Sequence, residues 1–448
     1  MIDRRFFLRR AAALASLGSQ GLVACGGGGG GGADDGNAAD LPTGTSTLPD
    51  STTLATAPAN PKARVIVIGG GMAGATVAKY LRLWGDAVDV TLVERLPVYT
   101  SCIMSSLVLT GQRSLASLDY NHDQLRSRYG LKTVFDEVVA IDPVAPSVTL
   151  ASGTVLRADR IVMAPGIDFD AVPGLGDPLL MPHAWKAGAQ TSQLASQLAA
   201  MPAGGTAVLT IPKAPYRCPP GPYERACLLA DWLRVNKPGS KLIVLDANPG
   251  IVTEVDNFSR AFFDLHGGVI EYRSNVVIDH VDTATRTLHT DTGALRADVV
   301  NLIPPQRAAA LAASSGLVND ATGRFAKVDV LSYASTAAPK VHVIGDASAT
   351  TQPKAGHIAN QEAKVCADAL VRLFGGGSPD AAPVTTSACY STITMSEASW
   401  LHSLFQYDAA SASMLPVASA TGASAGWDRR SFREMDEWFT ALMADTFA

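Results

Sequence analysis

Arg64-Val65-Ile66-Val67-Ile68-Gly69-Gly70-Gly71-Met72-Ala73-Gly74-Ala75-Thr76-Val77-Ala78-Lys79-Tyr80-Leu81 places a strand, a turn and a helix in immediate succession. The β-branched run 64–68 reads as a buried strand. Gly69, Gly71 and Gly74 complete a G-x-G-x-x-G turn, and residues 75–81 read as a helix. Val88-Asp89-Val90-Thr91-Leu92-Val93 is a second strand, closed by Glu94. In this context Gly69 allows the tight turn, Gly71 lets the backbone approach a pyrophosphate, and Gly74 lets helix and strand pack closely. The helix N-terminus offers free N–H groups and a positive dipole end to phosphates. Glu94 stands where a carboxylate accepts hydrogen bonds from a ribose diol. A dinucleotide site is expected here, but these residues alone do not distinguish FAD from NAD.

The chain around this unit has 448 residues, enough for about two to four domains. A hydrophobic content of 47% with 17% charged residues fits packed globular domains. A net charge of −5 gives no electrostatic reason to expect a nucleic-acid partner. No apolar run reaches the roughly 18 residues of a spanning helix. The six cysteines contain no C-x-x-C pair, which speaks against a zinc site or a thioredoxin-like motif; no metal site is expected.

The first 25 residues read as an address. Arg4-Arg5-Phe6-Phe7-Leu8 before an alanine-rich apolar stretch is the pattern of a Tat signal, an export route for folded cargo. Leu22-Val23-Ala24-Cys25 matches a lipobox, with lipidation of Cys25 and simple cleavage near Ala24 as alternatives. The Gly/Ser/Thr/Pro-rich residues 26–62 cannot bury apolar surface and are expected to be a tether. The protein is therefore expected in the periplasm, with a membrane tether if Cys25 is lipidated.

Two later segments point to FAD. Ile161-Val162-Met163-Ala164-Pro165-Gly166 resembles the strand-plus-glycine crossover of FAD-linked disulfide reductases. Val341-His342-Val343-Ile344-Gly345-Asp346 resembles their late strand ending in Gly-Asp, which implies that Asp346 holds the ribityl or phosphate part of the flavin. A second pair of strands, 206–211 and 241–246, occupies the place of those enzymes' nicotinamide fold. Its connecting turn, Pro212-Lys213-Ala214-Pro215-Tyr216-Arg217-Cys218-Pro219-Pro220-Gly221-Pro222, is proline-rich. Prolines lack N–H donors and cannot cradle a pyrophosphate as three glycines would. NAD(P)H is therefore not expected as a substrate.

From about Arg64 to the C-terminus the chain resembles the flavoprotein subunit of flavocytochrome c sulfide dehydrogenase. The resemblance lies in Tyr99-Thr100-Ser101-Cys102, in 181–188 (Met-Pro-His-Ala-Trp-Lys-Ala-Gly), in 217–227 (Arg-Cys-Pro-Pro-Gly-Pro-Tyr-Glu-Arg-Ala-Cys), in Asn301-Leu302-Ile303-Pro304-Pro305-Gln306 and in 354–364. It implies an α/β fold with two Rossmann-like dinucleotide-binding domains, as in glutathione reductase, and a C-terminal α+β interface domain. The implied boundaries are 63–180 and 301–376 for the FAD domain, 181–300 for the repurposed second fold and 377–448 for the interface domain, which carries Trp400, Trp427, Trp438 and the amphipathic stretch Ser431 to Phe447. It further implies a thioether from Cys102 to the flavin, Cys218 as the sulfur acceptor, and a helix from about Lys354 whose N-terminus and lysine face the flavin pyrimidine. The full expected cofactor set is Gly69, Gly71, Met72, Ala73, Gly74, Glu94, Arg95, Cys102, Val138, Ala164, Gly166, Gly345, Asp346, Lys354 and Gly356.

In that family a second redox cysteine is expected just after Gly-Asp, where this chain has Ser348. Three readings follow: Cys218 acts alone as a persulfide carrier, Cys227, Cys366 or Cys389 approaches it, or sulfide activity is lost or changed. Arg217 and Arg225 nearby are expected to favour the Cys218 thiolate. His357 is a candidate proton carrier, although a lone histidine is more often a surface or capped residue. The absence of C-x-x-C-H puts any haem on a separate c-type cytochrome. The expected activity is oxidation of sulfide or a related sulfur compound with transfer of electrons to that cytochrome. The alternatives are a same-fold flavoprotein with another donor and a non-catalytic FAD-containing binding module.

Overall fold

A computed structural model describes residues 56–448. The stretches read as a signal and a lipobox ending at Cys25, and the expected tether up to residue 55, lie outside the described residues. Among the described residues no helix is long and apolar enough to cross a membrane.

The strand Ala63–Ile68 lies inside an eight-stranded sheet. Five neighbours run parallel across its centre in the order Val341–Val343, Arg160–Met163, Ala63–Ile68, Val88–Glu94 and Lys132–Phe135. Both faces are covered, so these strands are apolar throughout; Val65, Val67, Val90, Leu92, Ile161 and Val162 are at most 1% exposed. Each such side chain contributes about 1.5–3 kcal/mol of burial. One face is covered by the helix Met72–Trp84, which packs along the long helix Gly356–Phe374.

The helix begins at Met72 rather than at Ala75, so the last half of the glycine motif forms its first turn. Gly74 permits this. A Cβ there would lie 1.7 Å from the Gly69 carbonyl oxygen, a backbone atom that no rotamer change can move.

A second, four-stranded parallel sheet has the order Ile270–Ser274, Lys241–Asp246, Thr206–Ile211, Val299–Asn301. The helix Gly221–Asn236 follows its proline-rich turn, starting from Pro220 and carrying Pro222 in its first turn, where the missing N–H costs nothing. The last part of the chain is antiparallel. Val384–Thr392 pairs with Ala398–Asp408 from Val384↔Gln406 to Thr392↔Ala398, and Ser413–Pro416 adds to the second of these strands. The helix Arg429–Phe447 closes the chain, capped by the Asp428 carboxylate, which accepts from the Ser431 N–H.

Candidate functional site

The ends of the first sheet open into one cleft with about 380 Å³ of space accessible to water. Its floor is the glycine turn. Gly69 has φ +93°, and a Cβ on it would sit 2.4 Å from the Ala164 carbonyl oxygen. Gly71 has no side chain with which to cap the helix, and the first internal bond runs from Ala75 N–H to Gly71 O at 2.9 Å. The N–H groups of Met72, Ala73 and Gly74 therefore have no partner within the helix. Glu94 holds the turn through its Oε2, which accepts from Gly70 N–H at 2.6 Å, while Oε1 accepts from Leu96 N–H at 3.0 Å. Each oxygen keeps a lone pair for a diol.

Met72, Ala73, Ala164, Gly166, Gly345, Asp346 and Gly356 line the same cleft. Other expected residues stand elsewhere. Gly74 acts from beneath the turn, Arg95 is exposed just beyond Glu94, and Val138 is buried at the head of the strand Val138–Asp142, away from the cleft lining. Lys354 lines a smaller pocket behind Asp346, where its Nζ donates to Ser348 O at 2.6 Å and sits 3.8 Å from the centre of the Phe325 ring. Its backbone oxygen accepts from Cys218 N–H at 2.6 Å.

Arg217 crosses the cleft wall. Its Nη1 stands 3.9 Å from Asp346 Oδ2, and its Nη2 is buried with no hydrogen-bond partner in the protein. A free cradle of N–H groups, a ribose-type carboxylate and an orphaned guanidinium nitrogen together fit a dinucleotide carrying anionic groups.

Cys102 follows the short strand Val98–Thr100 and enters the cleft, with Ala187 N–H 3.4 Å from its Sγ. Cys218 sits at φ +58°, a left-handed conformation strained for a residue with a Cβ. Gly221 makes room for it, since a Cβ there would lie 2.9 Å from both the Cys218 sulfur and the Trp185 ring.

The expectation that the flanking arginines favour the Cys218 thiolate is corrected. Although the thiol opens onto the cleft, desolvation pushes its pKa well above the usual range, reinforced by Cys389 and Glu224 and opposed by Arg217. Arg225 is fixed to neutral acceptors: the His183 and Ala184 carbonyls, the Asn301 amide and the Ser106 hydroxyl.

Of the cysteines left open as partners, Cys389 is the one that lines the same cleft as Cys218, and both are free thiols. Cys389, on the strand Val384–Thr392, lines the same cleft and, after desolvation, adds to the upward push on the Cys218 thiol pKa. Cys227 and Cys366 are buried within their helices, outside the cleft lining. Ser348 is also outside it, donating to the Gly345 carbonyl at 2.8 Å. A serine at 348 thus leaves Cys218 with a thiol neighbour. No spacing in the sequence marks Cys389.

Glu224, in the first turn after Cys218, lines the cleft with a pKa raised to about 7, chiefly by desolvation. His357 also lines the cleft. Its Nδ1 accepts from Ala388 N–H at 3.0 Å, and burial brings its pKa down to about 4, so near neutrality the ring is uncharged with its proton on Nε2. That runs against a role as a carrier titrating near pH 7.

At the end of the second sheet, Asp246 takes the place that Glu94 holds in the first. Its Oδ2 accepts from the Tyr223 and Tyr272 hydroxyls at 2.7 and 2.8 Å, and its Oδ1 from Asn248 N–H and Nδ2 at 2.8 and 2.7 Å. The carboxylate is completely buried by the protein's own donors.

Fold and cleft define a flavin-binding oxidoreductase with two dinucleotide-type sheets. Residues 63–202 match the model of the pyridine nucleotide-disulphide oxidoreductases. Residues 191–304 match the central region of the sulfide dehydrogenase [flavocytochrome c] flavoprotein chain, and residues 381–447 the flavin-binding region of flavocytochrome c sulphide dehydrogenase. The sulfide dehydrogenase flavoprotein chain of Chlorobaculum thiosulfatiphilum is 47% identical over 45 residues, 10% of this chain and 94% of that sequence. The chain belongs to the flavocytochrome c sulfide dehydrogenase flavoprotein family, flavin-dependent oxidoreductases of the pyridine nucleotide-disulphide oxidoreductase superfamily. A probable ferredoxin reductase of Castellaniella defragrans is 36% identical over 110 residues, covering 24% of this chain and 27% of that protein. The sulfide:quinone oxidoreductase of Aquifex aeolicus shares the fold with a TM-score of 0.71 at 16% identity, over 86% of this chain and 91% of that one. Putidaredoxin reductase, in its covalent complex with putidaredoxin, does so with a TM-score of 0.60 at 19% identity, over 77% and 82%.

Proposed function

We propose that the protein oxidises sulfide or a related small sulfur compound outside the cytoplasm and passes the electrons to a c-type cytochrome on a separate subunit. The observation that carries this reading is the convergence of Cys218 and Cys389 on the cleft that holds the dinucleotide cradle. FAD, when bound, supplies a two-electron acceptor that can release electrons singly. The glycine turn and the Met72 helix end would hold its pyrophosphate, Glu94 the ribose, Asp346 and Arg217 the inner polar groups, and Cys102 a covalent link.

In the oxidised state Cys218 and Cys389 form a disulfide. Hydrosulfide attacks one sulfur, the S–S bond breaks, that cysteine keeps the incoming sulfur as a persulfide and the other leaves as a thiolate. Glu224, poised near neutrality beside both, takes up or returns the accompanying proton. The internal closure of Asp246 and the prolines of its turn support a second fold that does not take NAD(P)H. The twin arginines Arg4-Arg5 support export.

Anaerobic titration with sulfide tests the proposal. The flavin absorbance should bleach with sulfide and not with NADH, and Cys218→Ala and Cys389→Ser should each abolish the bleaching. Reduction by NADH, or unchanged bleaching in either variant, would overturn it.

A further inference from the structure

The G-x-G-x-x-G pattern leaves its second position open, yet here it is Gly70, which puts three consecutive glycines at the tightest point of the turn. Such a backbone has the widest choice of peptide orientations, so side chains must fix it. Two of them close on Gly70. Glu94 accepts its N–H at 2.6 Å, and His122 Nε2 stands 2.7 Å from its carbonyl oxygen. A Cβ at position 70 would lie 2.5 Å from that Nε2 and 3.2 Å from Glu94 Cγ, so a glycine leaves room for both.

His122 is the N-cap residue of the helix Asp123–Tyr129, where its carbonyl accepts from Arg126 N–H at 3.1 Å and its side chain makes no cap bond. The residue is buried, and Nδ1 has no partner, so the bond to Gly70 is the ring's single hydrogen bond among the described residues. A carbonyl oxygen can only accept, so Nε2 carries the proton. Phe447 meets the ring edge-on, with centroids 5.8 Å apart, and Phe135 lies 6.4 Å away. Phe447 also stacks at 5.3 Å on Tyr99, whose ring would stand 3.3 Å from a Cβ on Gly71. The last turn of the helix Arg429–Phe447 thus braces both the ring that holds Gly70 and the ring that lies against Gly71.

We propose that His122 is the positioning residue of the diphosphate cradle. The Gly70–Gly71 peptide is trans and planar, with its C=O and N–H pointing opposite ways. Holding the Gly70 carbonyl toward His122 therefore fixes Gly71 N–H on the opposite side, on a residue that lines the cleft. Among the described residues that N–H has no acceptor, and it extends the row of donors at Met72, Ala73 and Gly74. Glu94 fixes the preceding peptide in the same way. His122 touches no reacting atom; it sets, through Gly70, the direction from which a diphosphate oxygen is met. The inference rests on the reading of the cleft as an FAD site and is independent of the sulfur chemistry.

The test takes the full-length Cys102→Ser protein as parent, in which flavin can exchange, and FAD as the probe. Flavin fluorescence titration gives the dissociation constant, and phosphorus NMR of bound FAD reports on the diphosphate. His122→Ala, and His122→Leu, which keeps an apolar filling, should each weaken FAD roughly 10- to 100-fold, the worth of one charge-assisted hydrogen bond, and move the phosphorus resonances toward those of free FAD. His122→Gln places an amide N–H where Nε2 stood and should restore both the parent's affinity and its phosphorus spectrum. Thermal melting of each flavin-free variant shows that it is folded. A leucine variant that binds FAD as tightly as the parent would overturn the clamp. So would equal weakening in all three variants with the parent's phosphorus spectrum retained, which would mark the ring as packing alone. A parent that takes up no FAD would sink the cofactor reading and the clamp together, whereas failure of sulfide to bleach the wild-type flavin would sink the proposed function and leave the clamp standing.

Discussion

Arg225 offers a test in which desolvation and hydrogen bonding pull in opposite directions. Its side chain is 1% exposed and lies 4.7 Å from the centre of the Trp185 ring. It donates to His183 O at 3.1 Å, Ala184 O at 2.9 Å, Asn301 Oδ1 at 3.0 Å and Ser106 Oγ at 3.3 Å. These bonds tie the helix after Cys218 to the loop that places Ala187 against Cys102. In Arg225→Met, His183 O keeps the Asn301 Nδ2 donor at 2.7 Å, so Ala184 O and Asn301 Oδ1 are the acceptors left empty. Two orphaned buried acceptors cost roughly 2–6 kcal/mol. Against this, burial has brought the arginine pKa from 12.5 to about 10, so removing the charge relieves roughly 3 kcal/mol. With the middle of that range, roughly 4 kcal/mol, the net expectation is a loss of roughly 1 kcal/mol for methionine. Lysine keeps a charge in the same dry site with fewer, shorter-reaching donors, so Arg225→Lys should lose more, roughly 4 kcal/mol. At about 2 °C per kcal/mol, thermal melting should rank wild type above Met by about 2 °C and Met above Lys by about 6 °C. A lysine variant as stable as wild type, or more stable than the methionine variant, would refute the claim that a desolvated, fully bonded guanidinium organises this wall.

Cys102→Ser should release its flavin on acid precipitation while the wild-type protein retains it, and equal release would remove the covalent link. Gly74→Ala should lower flavin content and melting temperature together, because its Cβ would meet the Gly69 carbonyl at 1.7 Å and the helix must move away; an overpacking cost of about 3 kcal/mol or more is expected, and a flavin-replete, equally stable variant would contradict it. Glu362, 1% exposed, has its pKa raised from 4.5 to about 7 by burial, so the folded protein binds more protons than the unfolded chain between these values. Its contribution is present below pH 4.5 and lost as pH rises through about 7. Glu362→Gln should flatten that part of the melting-temperature profile, and an unchanged slope would count against it.

Much of the cradle was legible because its parts are neighbours in the chain. Gly69, Gly71, Gly74 and Glu94 belong to one strand–helix–strand unit, where backbone geometry restricts each position to a residue type. Asp346, singled out through its Gly-Asp strand end, lines the cleft, and the prolines after Ile211 mark a turn poor in N–H donors. The position of the helix start was missed by three residues, since propensity does not see that Gly74 packs on the Gly69 carbonyl. Lys354 was expected to face the flavin, and its ammonium lies against the Ser348 carbonyl and the Phe325 ring, contacts that no local pattern announces.

The amino-acid order alone determined the dinucleotide unit, the loss of a glycine cradle in the second fold and the cysteines available for chemistry. Only the tertiary structure decided that Cys389 and Cys218 line one cleft and that tyrosines and an asparagine close over Asp246. A phosphate cradle is built from consecutive backbone groups, so local sequence specifies it. The neighbours of a thiol or carboxylate, and the desolvation that outweighs Arg217 at Cys218, depend on which strands and helices pack together from distant parts of the chain.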